Sequence, residues 1–260
     1  MRDCTILIPV INEIQQLKGS LEAIGEFEPD VKIIIANQTG RELWFNDKNI
    51  EVVSYPKHSY GYSIDRCIGM VDTEWFCTMD ADCFPISPDF LRKPISILKE
   101  RCATFAGSDT GLSIAYPKLG KFLAINNWFR VSRTETTKLL SGVYGFARNE
   151  DSSVKHDEWA DDGVYANRAL GDEKKVVLPI TRAIGMTPKQ GLYGIVLDEL
   201  VFHMVFGNTR TLMSDEQMKN ELGADYLQLL QRIEQGGLTK ELRQELVAMA
   251  KPINYKVDYP

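Results

Sequence analysis

The sequence predicts an α/β fold, with a mainly parallel sheet and a helical C-terminal annex. Two observations carry that expectation. Apolar, often β-branched runs at Cys4–Pro9, Val31–Ala36, Ile50–Ser54 and Thr73–Met79 alternate with stretches whose apolar residues fall at helical spacing. Strands separated by helices of that length imply parallel pairing through crossover units. From Ser214 onward two stretches of helical spacing run to a polar tail.

The first strand, Cys4–Pro9, leads through Asn12-Glu13 into a helix marked by Ile14, Leu17, Leu21 and Ile24. Val31–Ala36 closes on the turn residues Asn37-Gln38-Thr39-Gly40. Ile50–Ser54 is a shorter strand, Ser59 to Val71 is helical, and Thr73–Met79 follows as a strand. Past Pro88, Phe90–Lys99 reads as a helix and Ala103–Gly107 as a strand. The polar interval from Asp109 to Leu140 reads as loops with one helix, and Gly142–Arg148 as a strand. Ala160–Leu170 is helical, Lys175–Leu178 and Val201–Val205 are strands, and two amphipathic helices (about Asp215–Glu234 and Thr239–Lys251) end the pattern. The division this suggests is 1–212 as the α/β domain and 213–260 as helices packed on it.

Composition sets outer bounds. The chain has 260 residues, 44% hydrophobic and 25% charged, as in ordinary globular proteins. A net charge of −6 gives no overall basic field for nucleic acid or an anionic membrane. Five cysteines show no C-x-x-C spacing, and the odd count, with no export signal at the start, points to a reducing, cytoplasmic setting. No segment approaches the roughly 20 apolar residues of a transmembrane helix.

The most telling stretch is Trp75-Phe76-Cys77-Thr78-Met79-Asp80-Ala81-Asp82-Cys83-Phe84-Pro85, an apolar strand ending in two aspartates. That is the strand end where open α/β sheets place ligands. A buried carboxylate is too costly to leave uncompensated. A hard divalent cation, Mg²⁺ or Mn²⁺, is the natural partner and would grip phosphate oxygens in turn. A second feature is Asp161-Asp162 at the start of a short amphipathic helix, where acidic charge is favourable in any case. A third is His203 inside the apolar run Val201–Val205, followed by Gly207 and Arg210. A lone strand histidine is more often a core residue than a ligand, but this chain has only three histidines.

In this order the three features resemble the family 2 glycosyltransferases of the GT-A fold. Ile6-Leu7-Ile8-Pro9-Val10-Ile11-Asn12-Glu13 resembles that family's first strand and turn. Asp65-Arg66-Cys67-Ile68-Gly69-Met70 is similar to its helix before the metal strand, with Cys67 where asparagine is common. Asp80-Ala81-Asp82 matches the D-x-D, Asp161-Asp162 the acidic pair that carries the base, and His203 the late metal histidine. The resemblance spans roughly residues 4–210. Many members read the nucleotide base with an aspartate after the second strand; here Ala36-Asn37-Gln38 stands there.

The resemblance implies an inverting transferase using a nucleotide-sugar donor. Its diphosphate would sit on a divalent metal, Mn²⁺ favoured over Mg²⁺, held by Asp82 and His203 with Asp80 on the metal or the ribose. Pro9, Asn12, Glu13, Asn37, Arg66, Asp80, Ala81 and Arg210 are the donor-binding candidates. Asp162, with Asp161 as fallback, would deprotonate the acceptor hydroxyl. The acceptor stays open among a glycan, a lipid-linked glycan, a protein and a modified nucleobase. A sugar-phosphate nucleotidyltransferase is the rival enzyme, but it needs a Gly-rich loop where Pro9–Glu13 stands. A non-catalytic binding module of the same fold is the rival outside enzymes.

Overall fold

A computed structural model of the chain describes residues 3–58, 60–109, 122–144, 164–187, 191–205 and 214–254. Among them, β1 (Cys4–Val10), β2 (Lys32–Asn37), β3 (Ile50–Ser54) and β4 (Trp75–Met79) form the parallel part of a seven-stranded sheet. β1 lies between β2 and β4, with Leu7 opposite Ile34 on one side and Thr78 on the other. α1 (Ile14–Phe27) and α2 (Tyr60–Cys67) occupy the crossovers. β1 and β4 are buried along their whole length, as expected of strands covered by helices on both faces.

Beyond β4 the sheet turns mixed. β7 (Ile125–Arg133) runs antiparallel to both β4 and β6 (Phe105–Asp109), and β8 (Lys175–Val177) pairs parallel with β6. The sequence reading missed β7 altogether, because Asn126, Asn127, Arg130 and Ser132 look like loop residues. Arg130 and Ser132 are accommodated by each other and by Phe105 of the neighbouring strand. The fully buried Arg130 donates from Nε to Ser132 Oγ at 3.2 Å and lies over the Phe105 ring at 4.5 Å. Burial nonetheless draws its guanidinium down to about 10.

The strand expected at Gly142–Arg148 is a second departure. α4 (Thr134–Tyr144) covers its first residues, and 145–148 lie outside the described residues. α3 (Arg92–Glu100) and a short α5 (Val164–Ala169) complete the helices of this half. One face of the sheet buries Ile6, Ile8, Cys77, Met79, Phe129 and Val131 under α1 and α3. The other buries Leu7, Ile34, Phe76 and Phe105 under α2, α4 and α5.

A second, five-stranded sheet was also absent from the sequence reading. It contains β5 (Cys83–Pro85), β9 (Ile180–Thr187), β10 (Gly191–Leu197), β11 (Val201–His203) and β12 (Lys251–Pro252), all antiparallel. The C-terminal helical stretch is α6 (Asp215–Leu222), α7 (Ala224–Gly236) and α8 (Lys240–Met249). The single helix expected over Asp215–Glu234 is two, since Gly223 takes a φ of +94° that no helix continues through. Ser214 and Gln217 form a capping box at the start of α6. These helices bury Met218, Tyr226, Leu230, Ile233 and Leu246 against Phe84, Tyr193, Val196 and Phe202 of the second sheet.

α8 is locked to α1 by charge as well as by apolar contact. Arg243, 5% exposed, donates to the Gly19 carbonyl and to Glu26 Oε1 at 2.9 Å, with Glu22 at 3.5 Å. Gly19 is required there: a Cβ would stand 2.0 Å from the Leu238 carbonyl oxygen.

Candidate functional site

The two sheets meet at Asp80-Ala81-Asp82. β4 of the first ends at Met79 and β5 of the second begins at Cys83, so the three residues are the link between them. Backbone groups pin the link on every side. The Asp80 N–H donates to the Trp128 carbonyl at 2.9 Å, and the Cys83 N–H to the Asp80 carbonyl at 3.0 Å. Ser20 Oγ on α1 donates to the Ala81 carbonyl at 2.7 Å, and the Met204 N–H to the Asp82 carbonyl at 3.1 Å.

β11 pairs antiparallel with β5 and sets His203 opposite Cys83, which brings the imidazole to the aspartates. His203 Nε2 lies 3.3 Å from Asp80 Oδ2 and 3.3 Å from Asp82 Oδ1. The three donor atoms fall within 4.8 Å of one another. Asp82 and His203 are 4% and 7% exposed, and Asp80 reaches the opening.

Burial alone would lower the His203 pKa. The Asp82 charge and the hydrogen bonds to both carboxylates outweigh it and raise it to about 9. In the ion-free protein the imidazole is therefore held as a cation. Even so, two carboxylates and one imidazolium leave a negative charge over. Asp80 Oδ1 and His203 Nδ1 are both buried with no hydrogen-bond partner among the described residues. Two carboxylates, one imidazole and unspent polar atoms fit a divalent metal ion, with the remaining positions for a ligand's oxygens.

The cluster opens on a cavity of about 170 Å³ lined by Pro9, Ile11, Glu13, Tyr60, Ala81 and Val205 besides the three donors. Burial raises the Glu13 carboxyl, and the charges of Asp82 and Asp80 add to the rise. Tyr60 donates from its hydroxyl to the Asn127 carbonyl at 2.9 Å; burial, then the Asp80 charge, push its phenol well above the ordinary value. Val205 holds a φ of +56°, the left-handed region a β-branched residue avoids, directly beside His203-Met204.

Of the donor-binding candidates, Pro9, Glu13, Asp80 and Ala81 line this cavity. Asn12 is exposed just outside it at the end of β1, its N–H on Glu13 Oε2 at 3.0 Å. Asn37 stands at the end of β2, and its amide is spent locally. It donates to the Arg41 carbonyl and Ser54 Oγ and accepts from the Thr39 N–H and Oγ1. Arg66, in the last turn of α2, is exposed and away from the cavity lining. Asp161, Asp162 and Arg210 lie outside the described residues.

Sequence reasoning missed Tyr60 and the contributions of β7. Phe129 is fully buried in the core, and Trp128 stacks on His203 with ring centroids 4.4 Å apart. The nearest signal for β7 is the alternation of apolar and polar residues over 129–132, which marks a strand once the polar members are allowed to be buried.

No protein-family model matches the chain, and no curated protein matches it by sequence. Solved structures do. A mannosyltransferase from Pyrobaculum calidifontis, in complex with GDP-Man and Mn²⁺, is similar at a TM-score of 0.51 and 15% identity. The match covers 68% of this chain and 55% of that one, so the chain spans about half the length of that neighbour. TarS from S. aureus with UDP-GlcNAc (TM-score 0.41, 11% identity, 53% of this chain and 47% of that one) is more distant. So is glucosyl-3-phosphoglycerate synthase from Mycobacterium tuberculosis (TM-score 0.39, 15% identity, 52% and 57%). The likeness shows the fold: this is a GT-A architecture. No helix among the described residues is long and apolar enough to cross a membrane, and all five cysteines are free.

Proposed function

We propose that the chain is a metal-dependent glycosyltransferase, moving a sugar from a nucleoside-diphosphate donor to an acceptor hydroxyl with inversion. The observation that carries this reading is the Asp80–Asp82–His203 cluster on the cavity wall, at the C-terminal end of β4 in a GT-A fold. Ligands bind at such strand ends in open α/β sheets.

Asp82, His203 and Asp80 would hold the ion, and an imidazole in the set favours Mn²⁺ over Mg²⁺, which prefers oxygen alone. Bound there, the ion supplies charge neutralisation for a departing diphosphate, so no general acid is required. The chain's own residues do the rest. Pro9, Ile11, Glu13 and Tyr60 wall the cavity in which the donor lies, and Ser20 and Trp128 keep the D-x-D link from shifting. Asp162, or Asp161 beside it, takes the acceptor proton as that oxygen attacks the anomeric carbon from the face opposite the leaving group. Arg210 is the proposed phosphate contact; the exposed position of Arg66 makes it the weaker candidate. A reducing cytoplasmic setting accords with five free thiols, four of them buried.

The test is a screen of nucleoside-diphosphate sugars for hydrolysis or transfer with Mn²⁺ present and then chelated. Chelator-sensitive release of free nucleotide from at least one donor is the expected result. Undiminished turnover in excess chelator, or no measurable binding of any such donor in Mn²⁺, overturns the reading.

A further inference from the structure

The two nitrogens of His203 have very different surroundings. Nε2 faces both aspartates at 3.3 Å, whereas Nδ1 is buried and makes no hydrogen bond among the described residues. A metal-binding histidine ordinarily has its second nitrogen held by a carboxylate or a carbonyl, which fixes the ring's orientation. Here the ring instead lies flat against Trp128, the two planes 17° apart and the centroids 4.4 Å apart. Trp128 is 7% exposed and belongs to β7, whose next residue, Phe129, is in register with Met79 of β4. Its carbonyl also receives the Asp80 N–H. One residue therefore touches two of the three donors, one through its backbone and the other through its ring. Substitution leaves the backbone contact in place and removes the ring contact.

We infer that Trp128 is the positioning residue for His203, its indole face fixing the imidazole plane where other sites use a hydrogen bond at the far nitrogen. The inference rests on the reading of Asp80, Asp82 and His203 as metal ligands. The terminal torsion of histidine is broad, so an unsupported ring swings its lone pair off the line to the ion. Parallel, offset aromatic contact supplies a restoring force against that swing.

The experiment is Mn²⁺ binding by the full chain, read from the electron paramagnetic resonance of the free ion, with thermal unfolding measured for each protein. Trp128→Leu should weaken binding by about 10–100-fold, the range for losing an outer-shell partner. Trp128→Phe keeps a flat face and should recover most of it. In a His203→Gln background, Trp128→Leu should cost nothing further, since the ring it orients is gone. An equal loss with and without the histidine overturns the inference, as does wild-type affinity in Trp128→Leu. In both cases wild-type Mn²⁺ binding leaves the metal reading intact. No Mn²⁺ binding by the wild type removes the metal reading and this inference with it. Should Trp128→Leu fail to fold, Trp128→Met, which fills the space without a flat face, carries the same comparison.

Discussion

The corner where the two sheets meet and the seam between α1 and α8 both gather charge in buried surroundings, and they balance it differently. At the seam the Arg243 guanidinium and the Lys240 ammonium meet Glu26, Glu22 and the Gly19 carbonyl, two cations to two carboxylates, so the charge is answered from within the chain. At the corner two carboxylates face one imidazole, a net negative charge remains, and Asp80 Oδ1 and His203 Nδ1 have no partner among the described residues. Charge completed internally serves cohesion. Charge left incomplete in a cavity wall marks the place where a ligand completes it.

The largest effect expected is at the corner. Asp82→Asn should abolish measurable Mn²⁺ binding and lower transfer on the order of 10⁴-fold, the several kcal/mol that an ion contributes to a developing anion. Retained binding and turnover would place the ion elsewhere and dissolve the contrast. Asp162→Asn sharpens it from the acceptor side. Transfer should fall by about 10²–10⁴-fold while donor and Mn²⁺ affinity, followed by calorimetry, stay near wild type. If neither Asp162→Asn nor Asp161→Asn changes transfer, the acidic pair does not supply the base.

Proton linkage gives a smaller effect with a definite sign. Because the folded pKa of His203 is raised from 6.5 to about 9, the proton stabilises the ion-free fold fully below pH 6.5, and that contribution is lost as pH climbs through about 9. An ion competes with that proton, so Mn²⁺ affinity should rise up to about tenfold per pH unit between 7 and 9. A flat profile across that range would mean that His203 is not displaced from its proton by the metal. Smallest is Arg243→Leu at the seam. It should cost about 2 kcal/mol in urea unfolding, discounted because Glu22 and Glu26 stay partly solvated, and leave Mn²⁺ binding untouched. Loss of Mn²⁺ binding in that variant would join the two regions rather than separate them.

The same contrast explains what the sequence could tell. β1, β2, β4 and the strand carrying His203 were legible because their apolar runs coincide with burial, and β3, only half-buried at the sheet edge, because Ile50, Val52 and Val53 are β-branched. Strand β7 was not, since Arg130 and Ser132 are buried polar residues that pair with each other and with Phe105 through space. Nor were β9 and β10, where Gly185, Gly191 and Gly194 interrupt the pattern and Ile184 packs against the position a side chain at Gly194 would need. The approach of Trp128 to His203 joins positions far apart in sequence, and no local spacing encodes it. Asn37 is instructive in the other direction. Its place after β2 was legible, but that its amide is consumed by Arg41, Ser54 and Thr39 depends on a turn that only the fold shows.

The three-residue link has a consequence for how such a chain can change. Asp80 hangs from the first sheet through Trp128, and Asp82 from the second through Met204, with Ser20 gripping the residue between. It is thus a fixed-length coupling between two sheets, whose cores also meet where Cys83, Leu197 and Val201 of the second pack with the first. Loops at the periphery can lengthen around it. A single inserted or deleted residue between 79 and 83 would put one aspartate out of reach of His203. Variation is therefore channelled to the rim of the cavity, where it alters the molecule that is received, while the spacing at the centre stays as it is.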